Sequence, residues 1–318
     1  MTKLRVGVVG VGYLGKFHAQ KYHHMADVDL VGVVDSDMDR ARKIAAENDT
    51  VGYRTHDALF GRVDAVSIAA PTPDHFAISR DFLQAGVDVL IEKPITSVLE
   101  EADELIRIAD ANHRIIQVGQ LERFNPAVVA LDGKISRPRF IESHRLSIFQ
   151  GRCTDVSVVL DLMIHDIDLI LNLVHAEVKS VHAAGISVIS ENVDIANARL
   201  EFANGAVANV TASRISAKNE RKLRLFQKEA YISIDFANHA ITLVRRDPGH
   251  SGGIIPGMRI DALTFDKGDA LDDEIKAFVH AVRTRTPPKV TGRMGRDALA
   301  VALSIMDQIQ KTRQQLEC

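Results

Sequence analysis

Residues 4–15 decide the fold, and they read Leu4-Arg-Val-Gly-Val-Val-Gly10-Val-Gly12-Tyr-Leu-Gly15. An apolar run ends in a turn of the form Gly-x-Gly-x-x-Gly, and a helical pattern starts at Gly15. In such a strand–turn–helix unit Gly10 makes the tight turn and Gly12 lets backbone N–H groups approach a diphosphate. Gly15 then allows close packing of the helix on the strand. The N-terminus of the helix adds donors and partial positive charge, so this stretch predicts a dinucleotide site.

Short apolar runs alternate with helical patterns through the first ~120 residues, which indicates a parallel sheet in a doubly wound fold. The predicted strands are 4–10, 28–34, 63–69, 87–91 and 115–119, and the predicted helices are 15–25, 37–47, 74–85 and 99–112. We therefore expect residues 1–121 to form an NAD-binding Rossmann domain.

The remaining residues, 122–318, alternate in the manner of a large, open and mostly antiparallel sheet. Asn204-Gly205 predicts a hairpin turn between two of its strands. Strands are predicted at 140–149, 178–189, 195–202, 206–216, 222–226, 231–236 and 240–245, with helices at 157–174, 272–285 and 295–315. Segment 247–257 has the composition of a loop. The fold class is thus α/β, and this second domain is expected to bind substrate and to mediate oligomerisation.

Composition excludes several classes of protein. The 318 residues are 46% hydrophobic, with 39 Lys and Arg against 42 Asp and Glu, a net charge of −3. A disordered chain, a nucleic-acid partner and a membrane partner are all disfavoured by these values. Two cysteines, Cys153 and Cys318, cannot build a disulfide framework, which favours the reducing cytoplasm.

Asp35 ends the second predicted strand, 20 residues after Gly15. A carboxylate at this point binds the ribose hydroxyls of a dinucleotide and repels a 2′-phosphate, so NAD is expected rather than NADP. Arg40, Arg42 and Lys43 follow it. They either solvate the next helix, or Arg40 lies over the adenine.

Two further motifs stand at strand ends: Ala70-Pro-Thr72-Pro-Asp-His75 and Ile91-Glu92-Lys93-Pro94. With the glycine loop they resemble the Gfo/Idh/MocA oxidoreductases, the family of glucose–fructose oxidoreductase and inositol dehydrogenase. The resemblance implies that Lys93 binds the reacting hydroxyl and assists proton transfer. It also implies further cofactor contacts from Tyr13, Leu14, Ala70, Thr72, His75, Glu92, Lys93 and Gln120.

A polar stripe marks the predicted helix 157–174, because Asp161, His165, Asp168 and Asn172 recur at helical spacing among apolar residues. The family pattern Asp-x-x-x-His matches Asp161 and His165. By this resemblance His165 is the catalytic acid or base, and Asp161 contacts the substrate or orients the site. Many members carry glycines where Val158, Val159 and Met163 stand here, which leaves the pocket shape open. No metal is expected, because the histidines lack ligand spacing.

Arg123 belongs to a segment, Gly119 to Pro126, that resembles a hinge of this family and is expected to bring Gln120 and Arg123 towards nicotinamide and substrate. Arg145 and Arg152 flank a strand and are candidates for binding a carboxylate or diphosphate. Segments around Arg214 resemble family members that oxidise the 3-hydroxyl of the sugar in UDP-N-acetylglucosamine to a ketone. The alternatives are a dehydrogenase of a free polyol or aldose, such as an inositol, and a catalytically silent NAD-binding regulator. An open sheet with exposed apolar residues is a liability unless it is covered. The resemblance to the family implies that another subunit covers it, in a homodimer or homotetramer.

Overall fold

The computed structural model describes residues 2–131, 133–149, 151, 156–249 and 256–316. Its strands are β1 (Leu4–Val9), β2 (Val28–Val34), β3 (Val51–Tyr53), β4 (Ala65–Ile68), β5 (Asp88–Glu92), β6 (Ile116–Gly119), β7 (Phe140–Leu146), β8 (Val178–Ile186), β9 (Ile195–Phe202), β10 (Val207–Ser213), β11 (Glu220–Gln227), β12 (Ala230–Asp235), β13 (Ala240–Arg246) and β14 (Met258–Thr264). Its helices are α1 (Gly15–His24), α2 (Met38–Glu47), α3 (Thr72–Gln84), α4 (Leu99–Ala111), α5 (Pro126–Val129), α6 (Ile164–Val174), α7 (Ala270–Thr284) and α8 (Gly292–Leu316).

Contacts divide the chain into two compact units. The first comprises Met1–Leu121 and Asp269–Leu299, and the second comprises Glu122–Gly268 and Ala300–Cys318. The chain therefore passes from the first unit to the second after residue 121. The return of residues 269–299 to the first unit was not anticipated from the sequence.

The first sheet has the order β3-β2-β1-β4-β5-β6, and its pairs are parallel. Strand β4 is buried along its whole length, which explains why the strands are continuous apolar runs rather than alternating ones. This strand order is that of a doubly wound nucleotide-binding fold, so the predicted fold of the first domain is confirmed.

A large apolar cluster fixes the C-terminal helix α7 to the first unit. Phe278 and Ile275 of α7 are fully buried in one cluster with Val6, Val8 and Tyr22. Each large apolar side chain buried in this way stabilises the fold by roughly 1.5–3 kcal/mol. The hydrophobic stripe of α7 therefore explains why this late segment belongs to the nucleotide-binding unit.

The second sheet has the order β14-β13-β12-β11-β7-β10-β9-β8. All its pairs are antiparallel except β7 with β10, which run parallel. Burial alternates along β7 and β9, so one face of the sheet is packed and the other is more exposed. The predicted mostly antiparallel sheet is confirmed, and Gly205, at φ +83°, lies in the turn between β9 and β10.

Two strands and one helical irregularity depart from the sequence-based expectation. Strand β3 was missed because it is a three-residue edge strand. Strand β14 was missed because its apolar residues are interrupted by charge, including Arg259 and Asp261. The predicted helix 157–174 begins with one wider turn of i→i+5 type, Val159–Met163, before α6.

Candidate functional site

The carboxyl ends of five parallel strands bring most of the predicted cofactor residues to one edge of the first sheet. Gly10 follows β1, Asp35 follows β2, Glu92 ends β5 and Gln120 follows β6. Ala70 stands two residues beyond the end of β4. Ligands of open α/β sheets bind outside these strand ends, where the strand order reverses. The first unit thus places these five positions at the edge where a dinucleotide would bind.

Each of the three glycines in the loop occupies its position for a different structural reason. Gly10 has a φ of +81°, and a Cβ there would lie 2.5 Å from the backbone nitrogen of Ala70. A Cβ on Gly15 would lie 1.8 Å from the carbonyl oxygen of Gly10. A Cβ on Gly12 would meet nothing within 4 Å, so the described residues leave this side of the loop open. The loop therefore fits a diphosphate that approaches the backbone at Gly12.

Asp35 is buried and has an extensive set of donors. Its carboxylate accepts hydrogen bonds from the N–H of Val11 (3.1 Å) and the N–H of Asp37 (2.9 Å). Nη1 of Arg40 lies 3.2 Å from both carboxylate oxygens. The Arg40 side chain is 48% exposed, so it covers the carboxylate from the solvent side. The binding of ribose by Asp35 and the contact of Arg40 with adenine both stay predictions.

Four further predicted cofactor residues are Tyr13 and Leu14 in the glycine loop, Thr72 after β4 and Gln120 after β6. Tyr13 is 67% exposed and packs edge-on against Phe17, and Leu14 is also exposed. Thr72 is the first residue of α3. Gln120 is buried, and its Oε1 has no hydrogen-bond partner among the described residues. A buried amide oxygen of this kind is satisfied if a ligand donates to it, which fits the nicotinamide carboxamide.

His75 has a structural environment that the sequence did not predict. Its ring is buried, with Nδ1 2.9 Å from the carbonyl oxygen of Pro94 and Nε2 2.8 Å from that of Ala70. Both ring nitrogens therefore contact backbone carbonyls, and the imidazole joins the segments that follow β4 and β5. The described contacts make His75 a link between two loops, and its contact with a cofactor stays a prediction.

Lys93 directly follows β5, and its peptide bond to Pro94 is cis. The preceding residue, Glu92, has its Oε1 3.1 Å from Nε2 of His18 on α1. Burial acts to raise the pKa of Glu92. The hydrogen bond with His18 and the electrostatic attraction of His18, Lys93 and His75 outweigh that effect and lower the pKa below its ordinary value. Lys93 therefore follows a buried carboxylate that is ionised at neutral pH.

In the second unit, Asp161 lies in the wider turn and His165 in the first turn of α6. Wider turns of this type are frequent at functional sites. Both side chains are half-buried. The sequence predicts this pair at the regular i, i+4 spacing of an α-helix. Because Asp161 lies in the wider turn, the helical geometry between the two residues differs from that of a regular α-helix, although both stay on one continuous helical segment.

Asp168, a member of the predicted polar stripe, is buried in an ion pair with Arg123. Nε and Nη2 of Arg123 lie 2.5 and 3.0 Å from the two carboxylate oxygens. Burial raises the pKa of Asp168 above its ordinary value, although the guanidinium acts in the opposite direction. The described contact of Asp168 is therefore an internal one, to a buried arginine. A substrate role for Arg123 stays a prediction.

Arg145 is also buried among carboxylates. Its Nε and Nη2 each lie 2.9 Å from an oxygen of Asp166, and its Nη1 lies 2.8 Å from Glu122. Burial acts to lower the pKa of Arg145, and the two carboxylates raise it above its ordinary value. Bidentate pairing of this type fixes a guanidinium firmly. The described contacts of Arg145 are thus internal, and its contact with substrate stays a prediction.

Arg214 is buried as well, and its Nη2 donates to the carbonyl of Val156, just before the segment that carries Asp161. Its Nε lies 3.8 Å from Asp194. Arg152 and Cys153, which the sequence analysis singled out, lie outside the described residues.

The described residues provide no candidate metal site and no candidate membrane span. Within the ranges that the structure describes, no group of three or more His, Cys, Asp and Glu side chains is arranged to hold a metal ion. Over the same part of the chain, no helix is both long and apolar enough to span a membrane.

Two family models match the chain. Residues 4–120 match the oxidoreductase family with an NAD-binding Rossmann fold, GFO_IDH_MocA, and residues 128–233 match the GFO/IDH/MocA C-terminal domain. The chain belongs to the Gfo/Idh/MocA oxidoreductase family. The resemblance drawn from the glycine loop and the Glu-Lys-Pro motif is confirmed, and the protein is an oxidoreductase.

Relatives within the Gfo/Idh/MocA family match to different extents. UDP-N-acetylglucosamine 3-dehydrogenase from Acidithiobacillus ferrooxidans is 41% identical over 306 residues, which cover 96% of this chain and 97% of that one. Inositol 2-dehydrogenase 4 from Saccharopolyspora erythraea is 30% identical over 192 residues, 56% of each chain.

Solved structures of the family agree in fold. The structure of the Acidithiobacillus ferrooxidans enzyme has a TM-score of 0.91 at 40% identity and covers 98% of this chain and 99% of that one. The myo-inositol 2-dehydrogenase from Lactobacillus plantarum has a TM-score of 0.80 at 22% identity over 98% of each chain, a likeness of fold alone.

Sequence reasoning missed several partners of the candidate residues in this oxidoreductase: Asp166 and Glu122 beside Arg145, and His18 beside Glu92. The signal for His18 was available. It shares the buried face of α1 with Gly15, Ala19 and Tyr22 at helical spacing, and a lone imidazole on such a face requires a partner. No comparable local signal exists for Arg145, whose partners are distant in sequence.

Proposed function

We propose that this oxidoreductase is an NAD-dependent dehydrogenase that oxidises the 3-hydroxyl of the sugar in UDP-N-acetylglucosamine to a ketone. The observation that carries the proposal is the near full-length match, 41% identical, to an enzyme of that activity. The open glycine loop and the residues at the first sheet's carboxyl edge support the dinucleotide part of the proposal.

Residues of the first unit would hold the dinucleotide. The backbone around Gly12 and the N-terminus of α1 suit the diphosphate, Asp35 suits the adenosine ribose, and Gln120 suits the nicotinamide amide. When bound, the nicotinamide accepts the hydride that leaves the sugar carbon. The protein must therefore remove the hydroxyl proton and stabilise the charge that develops on the oxygen.

We assign those two tasks to two residues. His165 takes the hydroxyl proton, since an imidazole exchanges protons near neutral pH. Lys93 stabilises the developing alkoxide with its ammonium group. Asp161 contacts the substrate or orients the histidine, and it lies on the same helical segment as His165. Loss of C–H as hydride and of O–H as proton leaves the ketone, so the reaction balances without another reactant.

NAD rather than NADP is the proposed cofactor. A 2′-phosphate would meet the buried carboxylate of Asp35, and placing a second anion beside a buried carboxylate is costly. Arg40 faces that carboxylate from the solvent side, where it is already paired with Asp35. We therefore expect NADP to bind more weakly than NAD.

The test is NADH formation at 340 nm with UDP-N-acetylglucosamine, its uronate, myo-inositol and glucose, each with a carbonyl trap to draw the equilibrium forward. Turnover of the UDP-sugars alone supports the proposal. Turnover of myo-inositol or glucose alone contradicts the substrate and favours the activity of the inositol dehydrogenase relatives. Silence with all four sugars, with NAD still bound, favours the regulator alternative.

We further propose that the protein is a cytoplasmic homodimer or homotetramer assembled through the second sheet. On the more exposed face of that sheet Phe140, Phe226 and Tyr231 form a continuous aromatic row, with ring centroids 5.6 and 4.9 Å apart. Apolar rows of this type favour a protein partner. Sedimentation velocity of wild type and Phe226→Glu tests this, since the charged variant should shift towards monomer. A monomeric wild type contradicts it.

A further inference from the structure

His18 is a buried polar residue on an otherwise apolar helix face. It lies three residues after Gly15, in the helix that starts at the glycine loop, and its side chain is 0% exposed. Burial of an imidazole is unfavourable unless its polar atoms are hydrogen-bonded. Nε2 lies 3.1 Å from Oε1 of Glu92, so the tautomer protonated at Nε2 donates to this carboxylate. Nδ1 has no hydrogen-bond partner among the described residues, so within that part of the chain the ring is held through Nε2.

The Glu92 carboxylate is confined on its other side too. Its Oε2 accepts the backbone N–H of Lys93 at 3.3 Å. On β6 the residue paired with Glu92 is Gly119, where a Cβ would lie 3.0 Å from Oε2. The absence of a side chain at Gly119 therefore leaves the space that the carboxylate occupies. Glu92 is held between α1 and β6, at the last position of β5.

Charge reinforces this geometry. Only 12% of the Glu92 side chain is exposed, and the electrostatic attraction of Lys93 is one of the effects that lower the pKa of Glu92. The strength of this attraction depends on the distance between the two charges, so a carboxylate held in one place keeps it constant.

We propose that His18 is a positioning residue that fixes the Glu92 carboxylate and, through it, the placement of Lys93. This inference rests on the dehydrogenase function proposed above. His18 would touch neither substrate nor the reacting atoms. The hydrogen bond between His18 and Glu92 links α1, the helix that starts at the diphosphate loop, to the end of β5, which Lys93 follows. The loop and the lysine are thus held by one connected arrangement.

The first test compares His18→Leu with His18→Gln in the full chain. Leu removes the donor at similar volume, whereas the Gln amide nitrogen reaches the place of Nε2. With UDP-N-acetylglucosamine as substrate, we expect His18→Leu to lower kcat by about 10- to 100-fold, the effect of a displacement near 1 Å. The KM for NAD should stay within about threefold, and His18→Gln should recover most of kcat. His23→Gln, an exposed position on the same helix, is the matched control and should behave as wild type.

The second test needs no turnover. Pulsed acetylation with peptide mass spectrometry measures the rate at which Lys93 reacts at one fixed pH, with the exposed Lys179 as internal reference. The interaction of the lysine with its neighbouring carboxylate depends on their distance, so Glu92→Gln should change the acetylation rate of Lys93. His18→Leu should change this rate in the same direction by less, and neither variant should change the rate of Lys179.

The outcomes separate the two proposals. Loss of kcat in His18→Leu, recovery in His18→Gln and a changed acetylation rate of Lys93 support the positioning role. An unchanged kcat, or a kcat that falls only in proportion to folded protein, overturns it. If the wild type does not oxidise the nucleotide sugar, the proposed function is wrong, and the acetylation rate of Lys93 still decides the role of His18: unchanged rates in both variants overturn it.

Discussion

Arg145 and Asp166 form a bidentate ion pair in the interior of the second unit, with Nε and Nη2 each 2.9 Å from a carboxylate oxygen. Arg145 belongs to β7 and Asp166 to α6, so the pair joins the sheet to the helix that carries His165. Glu122 adds a second carboxylate on Nη1. Two anions thus depend on one buried cation, and this arrangement ties the position of α6 to the central strand of its sheet.

Arg145→Met should destabilise the protein strongly. It leaves the carboxylates of Asp166 and Glu122 buried without their cation, a situation that costs about 3–5 kcal/mol. Urea unfolding at pH 7 measures this loss. The matched control is Arg224→Met on β11, whose half-exposed pair with Glu142 should contribute less than about 1 kcal/mol. A stable Arg145→Met variant with a raised KM for the sugar would instead favour the substrate role that the sequence predicted.

Asp194 should contribute stability that is lost in acid. Its buried carboxylate accepts the N–H groups of Val188, Ile189 and Ser190 and the hydroxyl of Ser190. Burial acts to raise the pKa of Asp194, but these hydrogen bonds lower it to about 2. A folded-state pKa below the ordinary value of ~3.9 stabilises the fold above that value, by about 2 kcal/mol, and the contribution is lost as pH falls through about 2.

The measurement is the difference in free energy of unfolding between wild type and Asp194→Asn at several pH values. The difference should be largest from pH 5 to 7 and should shrink progressively below pH 4. Asp29→Asn, at an exposed position of β2, should show no comparable dependence. A difference that stays constant down to pH 3 would mean that the charge of Asp194 is not the stabilising feature.

The first unit was largely predictable because its signals are local. A glycine loop between a strand and a helix, and a carboxylate 20 residues beyond it, depend on neighbours in the chain. The carboxyl-edge positions of Ala70 and Lys93 follow once the strands are known to be parallel. Strand β3 was not predictable, since three residues at a sheet edge bury too little to impose a pattern.

The interior of the second unit was less predictable because its interactions are nonlocal. From the sequence alone, Asp166 and Asp168 could equally well be solvated acids. Only the folded chain places arginines against them. The wider turn at Val159–Met163 contains no Gly or Pro that would have indicated it in the sequence. Buried polar residues on an apolar helix require partners, and for Asp166 and Asp168 those partners are arginines of the same unit.

Lys93→Ala and His165→Ala should each lower kcat by at least about 10²-fold. The first removes the cation that stabilises the developing alkoxide, and the second removes the proton acceptor. Neither change alters the glycine loop, so NAD affinity, measured by isothermal titration calorimetry, should stay within about threefold. Lys179→Ala, exposed on β8, is the control for loss of a lysine. Wild-type turnover in both active-site variants would contradict the assignment of the two residues.

Asp35→Ala should weaken NAD binding by about tenfold and narrow the preference for NAD over NADP. The carboxylate that repels a 2′-phosphate is gone, and Arg40, released from its 3.2 Å contact with Asp35, is then available to pair with that phosphate. The double variant Asp35→Ala/Arg40→Ala should therefore lose the gain in NADP affinity while keeping the loss in NAD affinity. Asp39→Ala removes an exposed acid of α2, the helix that carries Arg40, and controls for the change in net charge. Calorimetric titration with both dinucleotides measures each effect, and an unchanged NAD affinity in Asp35→Ala would exclude the carboxylate from the ribose site.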